Sequence, residues 1–491
     1  MSTRAVEKSG RAGKGRGVVG FLVVTELASG FLQGWFTPLL EAIGTRWQVD
    51  TAQLNWVTAM YMLMTVVFVP VIGKLGDTYG HQRMLAVTAA AVTVGSVVVA
   101  LAPSYELFLL GRALQAPLAG FLPLEFAIVR ERRPEQAGRS IARLIGALTF
   151  GAAVGGVLSG TLYGVVGSLA VTLWVPVLFM ASCVPIVVYA VPETRRRSAG
   201  RVDVTGAVLL GLGLLLLLGA LSNGATWGWT DPATLAGLLG GPALLAAWLT
   251  TSRRTPHPLV DLSALTAGGI GLPLLAAVCF GAQFYGSSTA SSFFYLAGPD
   301  TYGYGLGLSA SAAGLVLLLP TLVMVAASLA GDRLSRGIGA ARTIALGGSL
   351  TSLCFLGMVA AGDDPLLFVT ANTLGAVGNG LVVAVLPAVV VDRAAPDAVG
   401  VSSALYNTSR TAAGAAAGAL FALLMSLFAT ADGHGGSLST RTSFHAVWLT
   451  AAVVSAVVVL LARLIGRRAA EREARQPGAE APLDEAGVQG A

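Results

Sequence analysis

Between Leu54 and Ile72, and again between Met84 and Ala102, the chain carries no Asp, Glu, Lys or Arg. Each run is about 19 residues, the length at which a helix crosses the hydrocarbon of a bilayer. Between them lies Gly-Lys-Leu-Gly-Asp-Thr-Tyr-Gly-His-Gln-Arg, residues 73–83, a polar, glycine-rich turn. It must join two membrane-spanning helices where both meet water. The same alternation fills the chain: of 491 residues 55% are hydrophobic and 11% charged, far below the roughly one quarter charged of soluble domains. Strand spans need only about 9–11 alternating residues, so the longer runs here predict an all-α polytopic membrane protein.

The formal charge of +6 does not point to nucleic acid, because the basic residues fall in short clusters between apolar runs rather than along one face. Cys183, Cys279 and Cys354 stand singly in apolar segments and read as small buried hydrophobes. The first apolar run is longer than the core of a signal peptide, about 7–15 residues, and lacks a clear cleavage site, so it is expected to stay as the first span. Lys occurs only at Lys8, Lys14 and Lys74 while Arg, Ala, Gly and Val abound, a composition that suggests a GC-rich bacterial genome.

Hydrophobic length and polar boundaries predict a polar cytoplasmic tail over 1–16 and a six-helix bundle over 17–191. A linker over 192–266 holds two additional spans and the basic cluster Arg195, Arg196, Arg197 and Arg201. A second six-helix bundle covers 267–464, and 465–491 form a disordered cytoplasmic tail. With both termini inside, 31 Lys and Arg sort onto the inner side except Arg46 and Arg441, which fall outside, and Arg112 and Arg410, which fall within spans. That bias puts the 73–83 turn in the cytoplasm. A duplication is legible too: Leu75, Gly80 and Arg83 recur as Leu334, Gly339 and Arg342, 259 residues on, and Pro134-Glu135-x-x-Gly138 recurs as Pro396-Asp397-x-x-Gly400, 262 residues on.

Five stretches carry a family likeness. The turn reads Gly-x-Leu-x-Asp-x-x-Gly-x-x-Arg through Gly73, Leu75, Asp77, Gly80 and Arg83; span four carries Arg112-x-x-Gln115, followed by Ala116 where glycine is usual. Span five, Gly146 to Gly160, has Gly151, Gly155 and Gly156 of an exporter helix motif, with Ala152 where proline is usual. The runs from Asp50 to Trp56 and from Pro258 to Leu262 agree. The chain resembles the major facilitator superfamily, and within it the fourteen-span drug:proton antiporter branch, over residues 17–464. The resemblance implies the major facilitator fold: two six-helix bundles with two extra helices between them, about 14 transmembrane helices. It also implies that Asp77 bonds the N-terminal end of the span starting near 401, a latch that closes the inner side; the plainer alternative is a solvated tight turn. Arg336 stands where the repeat would put a second Asp77, so the latch should be lopsided.

One departure bears on coupling. Many relatives place an Asp nine residues before a proline in span one; counting back from Pro38, that place is Ser29. Glu26 lies nearly one turn earlier on a similar face. A charge there costs ~2.5–3.5 kcal/mol on insertion scales, so Glu26 should face the interior and either pair or protonate, as a proton carrier must, unless it is a hydrogen-bonded structural Glu. Arg112 lies about 27 Å from the inner end of its span and Glu26 only about 13 Å along its own, so direct pairing is not expected; Arg112 sits nearer the level of Gln33. Glu125 is closer to Glu26's level and is either the second proton-coupling carboxyl or a snorkelling interface residue. Arg410 either pairs across the halves, meets an anionic group or packs a helix interface.

The glycines Gly146, Gly151, Gly155, Gly156, Gly160, Gly414 and Gly418 make small-residue faces for close packing. Phe280, Phe284, Tyr285, Phe293, Phe294 and Tyr295, with Trp35 and Phe36, would line an apolar cavity or face lipid. The expected substrate cavity therefore draws on Gln33, Trp35, Arg112, Gln115, Phe284 and Arg410. No nucleophile–base pair, phosphate loop or metal-type spacing stands out, and His81, His257, His434 and His445 lie in loops or at span ends. The chain is expected not to be an enzyme and to use no cofactor or metal.

The resemblance implies an exporter in a bacterial plasma membrane. It would exchange protons for a lipophilic drug or secondary metabolite by alternating access, with the bilayer, protons and the small molecule as partners, and work as a monomer. Two alternatives stay open: a proton-independent or importing facilitator of a small anionic solute, and a non-transporting membrane receptor.

Overall fold

The computed structural model describes residues 3–49, 51–194, 203–256, 258, 269–299, 303–308, 310–395, 398–431 and 437–474. Asp50, the arginines at 195–201, most of the 258–262 run, His257, His434 and the tail beyond Ala474 lie outside them. The first half comprises α1 (Thr3–Gly34), a short α2 (Leu40–Trp47), α3 (Thr51–Tyr79), α4 (His81–Leu101), α5 (Tyr105–Gln115), α6 (Phe121–Arg132), α7 (Ala137–Val166) and α8 (Leu169–Ala190). Next come α9 (Val204–Trp227) and α10 (Pro232–Ser252). The second half holds α11 (Gly271–Gly286), α12 (Ser288–Leu296), α13 (Ala310–Ile338), α14 (Ala340–Ala361), α15 (Pro365–Arg393), α16 (Val399–Leu427) and α17 (Arg441–Ala474). A two-stranded antiparallel ribbon pairs Thr430 with Leu438.

Among the described residues twelve helical stretches are long and apolar enough to cross a membrane. The passage through α11 and α12, broken at Ser287, and α16 are not among the twelve. α16 nonetheless carries a polar stretch inside the bundle: Ser402, Ser403, Asn407, Thr408, Ser409, Arg410 and Thr411. Large apolar side chains cover the outside, with Leu101 at 61%, Leu178 at 67% and Leu239 at 72% exposure, a surface suited to lipid and not to water.

Three boundaries differ from those expected. The first helix begins at Thr3 instead of near Gly17, and the last runs to Ala474, past the expected start of the tail at 465. Lys, Arg, Glu and Ala propagate helix well once a span supplies the nucleus. Span four is two α-helices joined by a 3₁₀ turn over Ala116–Gly120, where Pro117 lacks the N–H an unbroken ladder needs.

The duplication appears in the backbone. Gly80 and Gly339 precede α4 and α14 with φ of +110° and +90°, a conformation rare for residues with a Cβ. The two halves also share their core unequally. At the end of the bundle that holds Asp77, Val382 to Leu386, Val389 to Val391, Val458 and Leu461 of the second half pack into one cluster with the first half. At the far end Phe294, Phe355, Phe368, Phe444 and Trp448 form a cluster with no first-half residue.

Candidate functional site

The turn expected over 73–83 is helical except at Gly80: Gly73 to Tyr79 end α3 and His81 to Arg83 begin α4, and at the closed end this corner meets the start of α16. The backbone N–H of Gly400 donates to Asp77 Oδ1 at 2.9 Å and that of Val401 to Oδ2 at 2.7 Å. A buried carboxylate on the first N–H groups of a helix is favoured by the unpaired donors and by the helix dipole. The approach needs two glycines: a Cβ on Gly73 would lie 2.6 Å from that of Ala404, and one on Gly400 would lie 2.7 Å from Asp77 Oδ1. His81 Nε2 lies 2.9 Å from Asp77 Oδ1, and its Nδ1 lies 2.9 Å from Thr194 Oγ1. Glu193 accepts from the N–H groups of Gln82 and Arg83, both at 3.1 Å, and so caps α4 in the same manner. Leu75 is half-buried and the Arg83 side chain exposed. Arg130 donates to the backbone oxygens of Asp392 and Ala394, bridging the halves at the same end.

The repeat is lopsided but retains an acid. Asp332, one turn before Arg336, lies 3.0 Å from that guanidinium and 3.6 Å from Arg139 at the start of α7. Gly138, the counterpart of Gly400, faces it: a Cβ there would stand 2.9 Å from Asp332 Oδ1.

Glu26 and Glu125 are both wholly buried and close enough to interact electrostatically. The Thr25 hydroxyl donates to Glu125 Oε1 at 2.6 Å, whereas among the described residues Glu125 Oε2 and both oxygens of Glu26 lack a hydrogen-bond partner of good geometry, with the Ser29 hydroxyl in reach of Glu26. Glu125 thus sits inside the bundle and does not snorkel. Arg112 pairs with neither: Nε donates to the Val57 carbonyl at 3.0 Å, Nη1 to Gln115 Oε1 at 2.6 Å, and its guanidinium carbon lies 3.9 Å from the Phe36 ring centre. Gln115 passes the network on to Ser96. The Tyr61 ring lies 5.0 Å from the Arg112 guanidinium carbon, within electrostatic reach of Arg112, Glu26 and Tyr285. On α1, Gln33 Nε2 donates to Ser29 at 3.3 Å.

A cavity lies between the halves. Leu122, Pro123 and Phe126 of α6 and Ile145, Leu148 and Thr149 of α7 form one wall. Phe284 and Tyr285 of α11, Met324, Val383, and Ser403, Tyr406, Asn407 and Arg410 of α16 form the other. Phe284 and Arg410, named from the sequence, line this cavity. Trp35, Arg112 and Gln115 do not line it: they are 1%, 3% and 0% exposed and packed within the first half, because their level in the bundle does not decide which face they present. Gln33 is exposed off this cavity wall. Of the aromatic patch only Phe284 and Tyr285 reach the cavity; Phe294 and Tyr295 fill the far-end core and Phe293 is exposed.

The exporter-motif glycines hold α7 against α1. A Cβ on Gly151 would run into the Leu27 carbonyl and one on Gly155 into that of Phe31, while Gly30 and Gly34 face Leu148 and Ala152 in return. Gly156 is looser, with its nearest neighbour at 3.5 Å, and Gly146 faces Leu329 across the halves. Sequence reasoning missed His81, Thr194 and Glu193 around the turn, and Tyr61, Ser403, Tyr406 and Asn407 near the cavity. The polar residues clustered inside one span, 402–411, were the available signal for the last three.

Two related helical halves about a shared cavity, sealed at one end and wrapped in a lipid-facing surface, define a membrane transporter. The chain belongs to the Major Facilitator Superfamily, whose profile it matches over residues 22–419 and again over 286–488. It is 30% identical to the cephamycin export protein of Amycolatopsis lactamdurans over 94% of this chain and 97% of that one. It is 26% identical to the tetracenomycin C resistance and export protein of Streptomyces glaucescens over 76% of this chain and 69% of that one. Among solved structures it superposes on the human organic anion transporter MFSD10 with a TM-score of 0.68 at 18% identity, covering 91% of this chain and 99% of that one, a likeness of fold.

Proposed function

We propose that the protein is a monomeric exporter of the fourteen-span drug:proton antiporter type, in which α11–α12 and α16 complete the count. It moves a lipophilic drug or secondary metabolite out across a bacterial plasma membrane in exchange for protons, with both termini cytoplasmic. The observation that carries this reading is the Glu26–Glu125 pair: two enclosed carboxyl groups, three of whose four oxygens lack a hydrogen-bond partner of good geometry among the described residues. Charge at such a site requires a counter-ion or a route to water, and a bound proton removes that need. The names of the relatives, export and resistance proteins for cephamycin and tetracenomycin C, support the direction of transport.

The unequal core supports a reading of alternating access. The conformation described is the outward-open member of the cycle, with Asp77 and Gly400 latching the cytoplasmic end. Inward opening breaks that contact and shifts closure to the far end, each half moving as a rigid unit. One proton falling through ~100 mV contributes about 2.3 kcal/mol, sufficient for somewhat more than a tenfold substrate gradient at ~1.4 kcal/mol per decade.

The test is uptake of lipophilic cations, anions and neutral antibiotics into everted vesicles under an imposed pH gradient. Glu26→Gln is expected to lower gradient-driven uptake by about tenfold or more while leaving substrate counterflow intact. Full gradient-driven uptake by that variant would remove Glu26 from the proton path. Exchange indifferent to the gradient in the unaltered protein would favour the facilitator of an anionic solute, the reading to which unopposed Arg410 lends weight.

A further inference from the structure

The 262-residue offset that relates Gly138 to Gly400 also relates Ile141, Leu144, Ile145 and Leu148 of α7 to Ser403, Tyr406, Asn407 and Arg410 of α16. In each half these positions follow the spacing i, i+3, i+4, i+7, one stripe of a helix. The structure keeps the equivalence. A Cβ on Gly30 would strike the carbonyl of Leu148, and one on Gly281 would strike the carbonyl of Arg410; Leu148 and Arg410 look into the same cavity from opposite walls. One stripe is aliphatic throughout and the other polar throughout. Packing is met by aliphatic side chains in the first half, so the fold does not require the polar set in the second.

The polar stripe is also short of partners. Arg410 is 8% exposed; its Nη2 donates to Asn407 Oδ1 at 3.0 Å, but Nε has no acceptor. Among the described residues Ser403 Oγ, 2% exposed by residue, has no hydrogen-bond partner, and the Tyr406 hydroxyl, 3% exposed, has none but the neighbouring Arg410 within reach. Among the described residues no carboxylate lines the cavity. Arg112, the other arginine inside the first-half bundle, shows the contrast: it is satisfied by Val57, Gln115 and the Phe36 face and lies off the cavity wall. Around Arg410 the rings of Tyr285 and Tyr406 stand 5.6 and 5.5 Å from the guanidinium carbon, and Phe284 meets Tyr285 edge to face.

We propose that Arg410, with Ser403 and Tyr406, is an anion-recognition site, and that the exported molecule is a lipophilic monoanion whose carboxylate seats on this guanidinium while its apolar body lies on the aromatic and aliphatic walls. The proposal rests on the exporter reading for its direction of transport, not for binding. A buried guanidinium accepts a carboxylate through charge-assisted hydrogen bonds, and a lipophilic cation would meet an unopposed positive charge.

Three probes with one aromatic body test it: 1-pyrenebutyrate, its methyl ester and 1-pyrenebutylamine, bound at equilibrium to the full-length protein in nanodiscs. The acid is expected to bind about tenfold or more tighter than the ester or the amine. Arg410→Leu installs the residue already carried by the first half, so it should fold, and it is expected to erase that preference; Arg410→Lys should keep part of it. Acid binding that is absent, no tighter than that of the amine, or unchanged in Arg410→Leu overturns the proposal. The same probes in vesicles with a pH gradient separate the two readings. Arg410-dependent binding without gradient-driven flux would sink the exporter and leave this site standing. Gradient-driven flux of the amine without acid preference would do the reverse.

Discussion

At the scale of single residues the molecule spends its few buried charges in three different ways. Asp77 is satisfied by two backbone donors of the opposite half, Arg112 by acceptors within its own half, and Glu26 by no more than the neighbouring Ser29 among the described residues. Asp77→Asn keeps one acceptor but turns an NH₂ toward a helix N-terminus, and hydrogen bonds to charged groups contribute about 1.5–3 kcal/mol. In a background without Cys183, Cys279 and Cys354, Ser403→Cys should then react with an impermeant maleimide from the cytoplasmic face about tenfold or more faster than with Asp77 intact. An unchanged rate would show that the contact does not hold that end shut.

At the scale of elements, α7 contrasts two neighbouring glycines. Gly155 has no room for a Cβ against the Phe31 carbonyl, while Gly156 leaves ordinary van der Waals space. Gly155→Ala is expected to lower thermal stability in detergent, with overpacking costing about 1–3 kcal/mol, and Gly156→Ala to leave it nearly unchanged. Equal effects would refute a packing role confined to the α1 face. The motif announced closely packed glycines in α7; which of them bear on α1 depended on the rotation of the helix, and composition does not encode that angle.

At the scale of the whole molecule the closed end of the cavity is held by two unequal contacts, Asp77 on α16 and Asp332 beside Arg139. Arg139 is 40% exposed, so its contact with Asp332 is a surface pair contributing ~0–1 kcal/mol. Asp332→Asn alone should therefore shift spin-label distances across the cytoplasmic end less than Asp77→Asn does. The double variant should lengthen them most and shorten those at the far end. A double variant no more open than Asp332→Asn alone would contradict rigid movement of the halves about the latch.

The membrane class, the helical architecture, the duplication and the singling out of Asp77 were legible in the sequence. They rest on properties that are local or periodic: span length, the absence of charge over about 20 residues, and recurring turns. The partnerships of Glu125 and Arg112, the 3₁₀ break in span four, and the division of α16 and α7 into a polar and an aliphatic cavity wall were decided only by tertiary structure. Linear spacing sets the depth of a residue in the bilayer to within a turn, but the face it presents depends on how each helix is rotated and tilted against its neighbours. That orientation comes from the packing of glycine against backbone and of one half against the other.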